Sequence, residues 1–314
     1  MKKTITVTLL LFLLFLTGCN SSGMKNDSSN DGKLQVYTTV YPLKYFTEEI
    51  GKEYVKVETI YPPGSDEHTF EPSQKDMMKL ADSDLFIYVG LGLEGFVNKA
   101  EQTLKNEEVT LLAAGENIDN LEAHDEEEHG HGDEHEHEHH GDVDPHVWID
   151  PLYSKDLAEA IKNELISQLP EQKEQLEENY NVLIKKLDEL DTKFESLTTN
   201  AKHKEIIVSH AAYGYWEERY GIKQTSISGL SSSSEPTQKE LKQIIQSAKE
   251  NEVKYIFFEQ NVSSKLAEIV RDEMDAEPLM LHNLSVLTDE DIKNNRTYFS
   301  IMDDNLKALE TALQ

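Results

Sequence analysis

The chain is poor in cysteine and tryptophan, with one and two in 314 residues, and its longest apolar stretch is Val7 to Leu16. A single cysteine leaves no disulfide to build. A membrane-spanning helix needs roughly 20 apolar residues, so that stretch is too short to be one. Positive charge is also scarce, with 30 Lys and Arg against 60 Asp and Glu and a net charge of -30. Phosphate backbones are gripped by Lys and Arg, so the balance argues against nucleic acid and suits a cationic ligand or partner. The one His-Glu-x-x-His match, His135–His139, falls in a low-complexity acidic run rather than in a helical pattern, and there is no convincing Gly-rich phosphate loop.

What is present begins with the first residues. Lys2 and Lys3 precede the apolar stretch, which closes on Leu16-Thr17-Gly18-Cys19. That order reads as a secretory signal over residues 1–18 ending at a lipidation cysteine. The expectation is a protein anchored to the cell membrane through a lipid on Cys19 and facing outward, with residues 19–33 as a polar tether.

Period changes then divide the chain. Lys33–Thr39, Val55–Tyr61, Asp84–Gly90 and Val109–Ala113 are short β-rich runs. Helical spacing lies between them, as in Pro72–Ala81 and Gly95–Leu104. Tyr153–Leu169 is helical as well. A second set of runs, Glu205–Val208, Ile227–Leu230, Tyr255–Glu259 and Pro278–Leu281, alternates with helical stretches at Ala212–Tyr220, Glu235–Asn251 and Ser264–Asp275, and a last helix is expected over Asp289–Leu313. Strands alternating with helices imply mostly parallel α/β sheets. Between the two sets, Leu176, Tyr180, Leu183, Leu187, Leu190, Phe194 and Leu197 recur at steps of four and three. That pattern is one long amphipathic helix starting near Pro170, serving either as a backbone joining two lobes or as a coiled-coil strand. The expected fold is α/β, with an N-terminal lobe over 34–168, a connecting helix over 169–200 and a C-terminal lobe over 201–314. Ligands of such sheets bind at the carboxyl ends of the strands.

Histidine is concentrated there. In "EAHDEEEHGHGDEHEHEHHGDVDPHVW" (Glu122–Trp148), His124, His129, His131, His135, His137, His139 and His140 sit among acidic residues, and His146 stands apart behind Asp-Pro. His68 follows the second strand run and His210 follows "EIIV", so three histidines fall beyond strand ends. Imidazole nitrogens in threes or fours make a tetrahedral zinc site. Residues 124–140 lack apolar residues to pack, and the stretch 122–142 reads as a mobile loop. A disordered loop must lose conformational entropy to fix each ligand, so the tight site is expected at His68, His146 and His210 and the run is expected to act as an accessory collector. Asp144 and Asp150 flank His146, and either can fix an imidazole tautomer by accepting its N–H. Tyr213, Tyr215 and Trp216 are expected as core or cleft wall.

These residues resemble the zinc-binding lipoproteins of bacterial ABC importers, the ZnuA/AdcA type within a wider group of manganese- and zinc-binding receptors. The likeness runs along nearly the whole chain, through the tetrad at Cys19, "YPLKYF", "EHTFEPS", the histidine-rich insertion, "DPHVW", the long helix, and "SHAAYGY" with "GLSSSSEPT". It implies two α/β lobes on one backbone helix with limited relative motion, and a single zinc ion held in the cleft as cargo by His68, His146 and His210. It also implies delivery to a permease and its ATPase, and a monomer is expected. One segment departs. Relatives carry an acidic ligand in a segment such as Asn-Pro-Leu-Glu, and "LHNLSVLT" places Ser285 there instead. A serine hydroxyl is a poor zinc ligand, so the fourth position falls to Glu67, a water or a histidine of the run.

Three imidazoles and at most one carboxylate suit zinc, copper or nickel better than manganese, which prefers oxygen-rich octahedra. Binding is expected to weaken as pH falls through the histidine range. Two readings of other classes remain: a three-histidine zinc hydrolase with an open ligand position, and a histidine-rich surface metal buffer or adhesin.

Overall fold

The computed structural model describes residues 32–119, 121, 143–231, 234, 236–260 and 264–314. The signal stretch, Cys19, most of the tether and the seven histidines of the run lie outside them. Leu34–Gln314 form one compact unit.

Two four-stranded parallel sheets build this unit. The first contains β1 (Leu34–Thr38), β2 (Val55–Thr59), β3 (Leu85–Tyr88) and β4 (Thr110–Ala113) in the order β2-β1-β3-β4. Its crossovers carry α1 (Tyr41–Gly51), α2 (Gln74–Ala81) and α3 (Val97–Leu104). The second repeats the arrangement with β5 (Glu205–His210), β6 (Lys223–Ser228), β7 (Tyr255–Phe258) and β8 (Glu277–Met280) in the order β6-β5-β7-β8. Its helices are α6 (Tyr215–Tyr220), α7 (Gln238–Glu250) and α8 (Lys265–Met274), numbered after two helices that lie between the sheets. In each sheet the chain reverses its winding direction beside the first strand, which opens a crevice at the carboxyl ends of β1 and β3 and of β5 and β7.

The helices between the sheets are α4 (Pro151–Gln168) and α5 (Lys173–Thr199). Pro170 opens a short 3-10 turn ahead of α5 rather than its first α-turn. Leu176, Leu183, Leu187, Leu190 and Phe194 are buried, and Tyr180 and Leu197 are partly so. This stripe packs on α1 and α4 from the first half and on α6 and α10 (Tyr298–Leu313) from the second. An apolar face consumed inside the molecule leaves no coiled-coil seam, so the backbone reading holds. Leu187 is fully buried, and Leu187→Ala is expected to cost about 3 kcal/mol through lost contacts and a residual cavity. Denaturant unfolding with an unchanged slope measures this directly.

Three elements differ from the sequence expectation. The strand expected at Ile227–Leu230 spans Lys223–Ser228, because β6 is an edge strand with a partly solvated face and so carries polar residues. The helix expected from Ala212 begins at Tyr215. The final helix is broken into α9 (Asp289–Lys293) and α10, since Asn295 takes a positive φ of 50° and Thr288 and Thr297 each cap a helix start.

The lobes share one continuous apolar core. Tyr298 packs on Tyr45 and Phe46 and donates its hydroxyl to the Trp148 carbonyl, while Trp216 Nε1 donates to the Ile149 carbonyl at 3.0 Å. These fastenings allow small rearrangements at the strand ends and oppose a wide hinge.

Candidate metal site

Four side chains converge where the two crevices face each other. Glu67 and His68 lie on the segment after β2, where the Asp66 carboxylate accepts the His68 and Thr69 N–H groups at 2.9 and 3.1 Å and sets the turn. His146 precedes a short 3-10 turn, Val147–Ile149, whose three residues are buried. His210 is the last residue of β5. One ligand atom from each of Glu67, His68, His146 and His210 lies within 4.8 Å of all the others. The His68 and His146 Nε2 atoms are 3.2 Å apart. A tetrahedral ion with bonds of about 2.05 Å separates its ligands by about 3.3 Å, so this pair already has the spacing such an ion needs. Glu67, His146 and His210 are 3%, 0% and 2% exposed, and His68 is the more open member.

Each histidine has a different tautomer logic. Asp144 Oδ1 accepts both the His146 backbone N–H at 2.9 Å and its Nδ1–H at 2.7 Å, which leaves Nε2 with a free lone pair. Asp150, the other aspartate considered for that role, instead caps α4 through the Leu152 and Tyr153 N–H groups and pairs with Arg219. Burial, reinforced by the two neighbouring imidazoles, pushes His68 down to about 3, so it is neutral across the ordinary range. His210 behaves oppositely. Burial disfavours its charge, but the Glu259 carboxylate outweighs that and raises it to about 9. Its Nδ1 faces Glu259 Oε1 at 3.2 Å and its Nε2 faces the Leu230 carbonyl at 2.9 Å. Two acceptors facing one ring favour its protonated form.

Sequence reasoning missed Glu259 and Asn283. Glu259 is 5% exposed and directly follows β7 at the switch point beside β5. Its Oε1 accepts from His210 and from the Tyr213 hydroxyl, and its Oε2 accepts from Asn283 Nδ2 at 3.2 Å. Asn283 also donates to Glu67 Oε1 at 3.0 Å. The available sequence signal was Glu259's place at a strand's carboxyl end; its partners are distant in sequence. Ser285 does not join the four converging groups. Its N–H and hydroxyl both donate to Asn283 Oδ1. Tyr213, Tyr215 and Trp216 are buried around the cleft, with the Tyr215 hydroxyl donating to the Asp144 carbonyl. His203 is exposed and His282 pairs with Asp291, both outside the cluster.

The family profile for ZnuA, described as the periplasmic zinc-uptake complex component A, matches residues 36–312. The chain belongs to the ZnuA family. A zinc-binding lipoprotein AdcA of Streptococcus pneumoniae strain R6 is 37% identical over 311 residues, which is 99% of this chain and 61% of that protein. The chain therefore spans about three fifths of the AdcA length. The high-affinity zinc uptake system protein ZnuA of Bacillus subtilis is 36% identical over 301 residues, covering 96% of this chain and 94% of that one. Among solved structures, the Zn(II)-bound ZnuA-like domain of the Streptococcus pneumoniae AdcA superposes with a TM-score of 0.74 at 34% identity, over 90% of this chain and 99% of that domain. The paired sheets on a backbone helix are thus the ZnuA-family architecture.

Proposed function

We propose that this chain is an extracytoplasmic receptor that captures a zinc ion between its lobes and hands it to a membrane importer. The observation that carries the reading is the buried convergence of Glu67, His68, His146 and His210 within 4.8 Å. Three imidazoles and one carboxylate match zinc's preference for four nitrogen and oxygen donors. Both curated relatives are named for zinc binding or uptake, and the related AdcA domain was solved with Zn(II). In this reading Asp144 orients His146, Glu67 fills the position that Ser285 cannot, and zinc is cargo rather than a catalytic cofactor. A permease and its ATPase are the partners, and the receptor acts as a monomer. The chain divides into a signal at 1–18, a tether at 19–33 lipidated on Cys19, lobes at 34–168 and 201–314, and the joining helix at 169–200. Zinc hydrolysis is not favoured by these relatives' names, whereas adhesion beside metal transport fits the laminin-binding protein of Streptococcus agalactiae, whose solved structure superposes with a TM-score of 0.77 at 27% identity over 90% of this chain.

His124, His129, His131, His135, His137, His139 and His140 then serve as an accessory collector. Removing residues 122–142 is expected to leave one tight zinc ion per chain, measured by titration against a competing chelator. Loss of the tight ion with the run would move the receptor site out of the cleft.

A further inference from the structure

Asn283 is completely buried and bonded on every polar atom of its side chain. Its Nδ2 donates to Glu67 Oε1 at 3.0 Å and to Glu259 Oε2 at 3.2 Å. Its Oδ1 accepts from Ser285 N at 3.1 Å, Ser285 Oγ at 2.9 Å and Gln260 Nε2 at 3.2 Å. Its backbone carbonyl accepts from Trp148 Nε1 at 2.7 Å. The neighbours settle which way the amide points. Three donors face its oxygen and two carboxylates face its nitrogen, so a flipped amide would oppose like groups on both sides.

We infer that Asn283 limits the coordination number of the metal site, and thereby its preference for zinc over manganese, by holding one oxygen of Glu67 away from the ion. The inference rests on the receptor reading above. Both Glu259 oxygens are committed, Oε1 to His210 and Tyr213 and Oε2 to Asn283. Glu67 has its Oε1 committed to Asn283 and offers the ion only Oε2. The set is then three nitrogens and one oxygen, the four-coordinate arrangement zinc accepts. Manganese takes about six donors, most of them oxygen. Without the Nδ2 donor, Glu67 is free to chelate with both oxygens, so the set grows from four donors to five. Ser285 gains a role in this account: its N–H and hydroxyl lock the amide that holds Glu67 Oε1.

The test uses Asn283→Ala in the full chain, with Asn283→Leu as a second variant that retains apolar bulk. Cobalt(II) alone reports geometry, because four-coordinate cobalt absorbs visible light far more strongly than five- or six-coordinate cobalt. Competition between zinc and manganese reports selectivity. The wild type is expected to show the strong four-coordinate spectrum. Either folded variant is expected to lose most of it, and to raise the manganese-to-zinc affinity ratio by about tenfold or more, a difference of about 1.4 kcal/mol. Gln260→Ala, which removes only one donor to Oδ1, is expected to keep the wild-type spectrum. Variants with the wild-type spectrum and ratio would overturn the role of Asn283 while leaving the receptor reading intact. A wild type without tight zinc would overturn the reading itself.

Discussion

His210→Ala is expected to weaken zinc binding by more than about a hundredfold. Losing a group that merely supports a metal ligand typically costs 10- to 100-fold in affinity, and in the proposed site His210 is itself a ligand. The substitution also strips Glu259 of the Nδ1 donor that faces its Oε1 at 3.2 Å, leaving Tyr213 and Asn283 to hold that carboxylate. The pocket then has two imidazoles, Glu67 and an unneutralised buried acid. Chelator competition on the protein lacking residues 122–142 reads the change without interference from the histidine run. His203→Ala, at an exposed position outside the cluster, is the matched control and is expected to leave the affinity unchanged.

The second large effect is on pH dependence, and it falls at higher pH than three ordinary histidines would place it. His68 is already neutral, because burial and its imidazole neighbours push it down to about 3. His210 keeps its proton up to about 9: burial opposes the charge, and Glu259 overcomes that opposition. A metal ion must displace this proton, since imidazolium has no lone pair to give. Lowering the pH strengthens the competing proton, so zinc affinity is expected to fall by about tenfold for each unit below pH 9 and to level off above it. At pH 7.5, binding is expected to release about one proton from His210, read by calorimetry in buffers of different ionisation enthalpy. The sequence expectation of weakening through the ordinary histidine range has the right sign, but Glu259 shifts the window upward. An affinity flat from pH 6.5 to 9 with no proton release would show that His210 is neutral before metal arrives.

Local features of the chain pointed to three histidines that the fold brings within 4.8 Å of one another. "DPHVW" and the positions of His68 and His210 beyond strand runs are statements about neighbours in sequence, and parallel α/β sheets bring strand ends together. The steps of four and three from Leu176 to Leu197 likewise reported a buried stripe without knowledge of what covers it. The positions that sequence reasoning missed depend on tertiary partners. Glu259 is an unremarked acid after a strand until His210, Tyr213 and Asn283, 49, 46 and 24 residues away, surround it. Asn283 in "LHNLSVLT" carries no local signal, because its two carboxylate partners come from opposite lobes. The start of edge strand β6 was misplaced for a related reason: its partly solvated face removes the apolar run that marks a central strand.

The account stands most directly on X-ray absorption at the zinc edge of the zinc-loaded protein lacking residues 122–142. It predicts one ion with three imidazole nitrogens and a single carboxylate oxygen, all at about 2.0 to 2.2 Å. A shell without three imidazoles, or zinc that no longer stays bound once the run is removed, would contradict the assignment of His68, His146, His210 and Glu67.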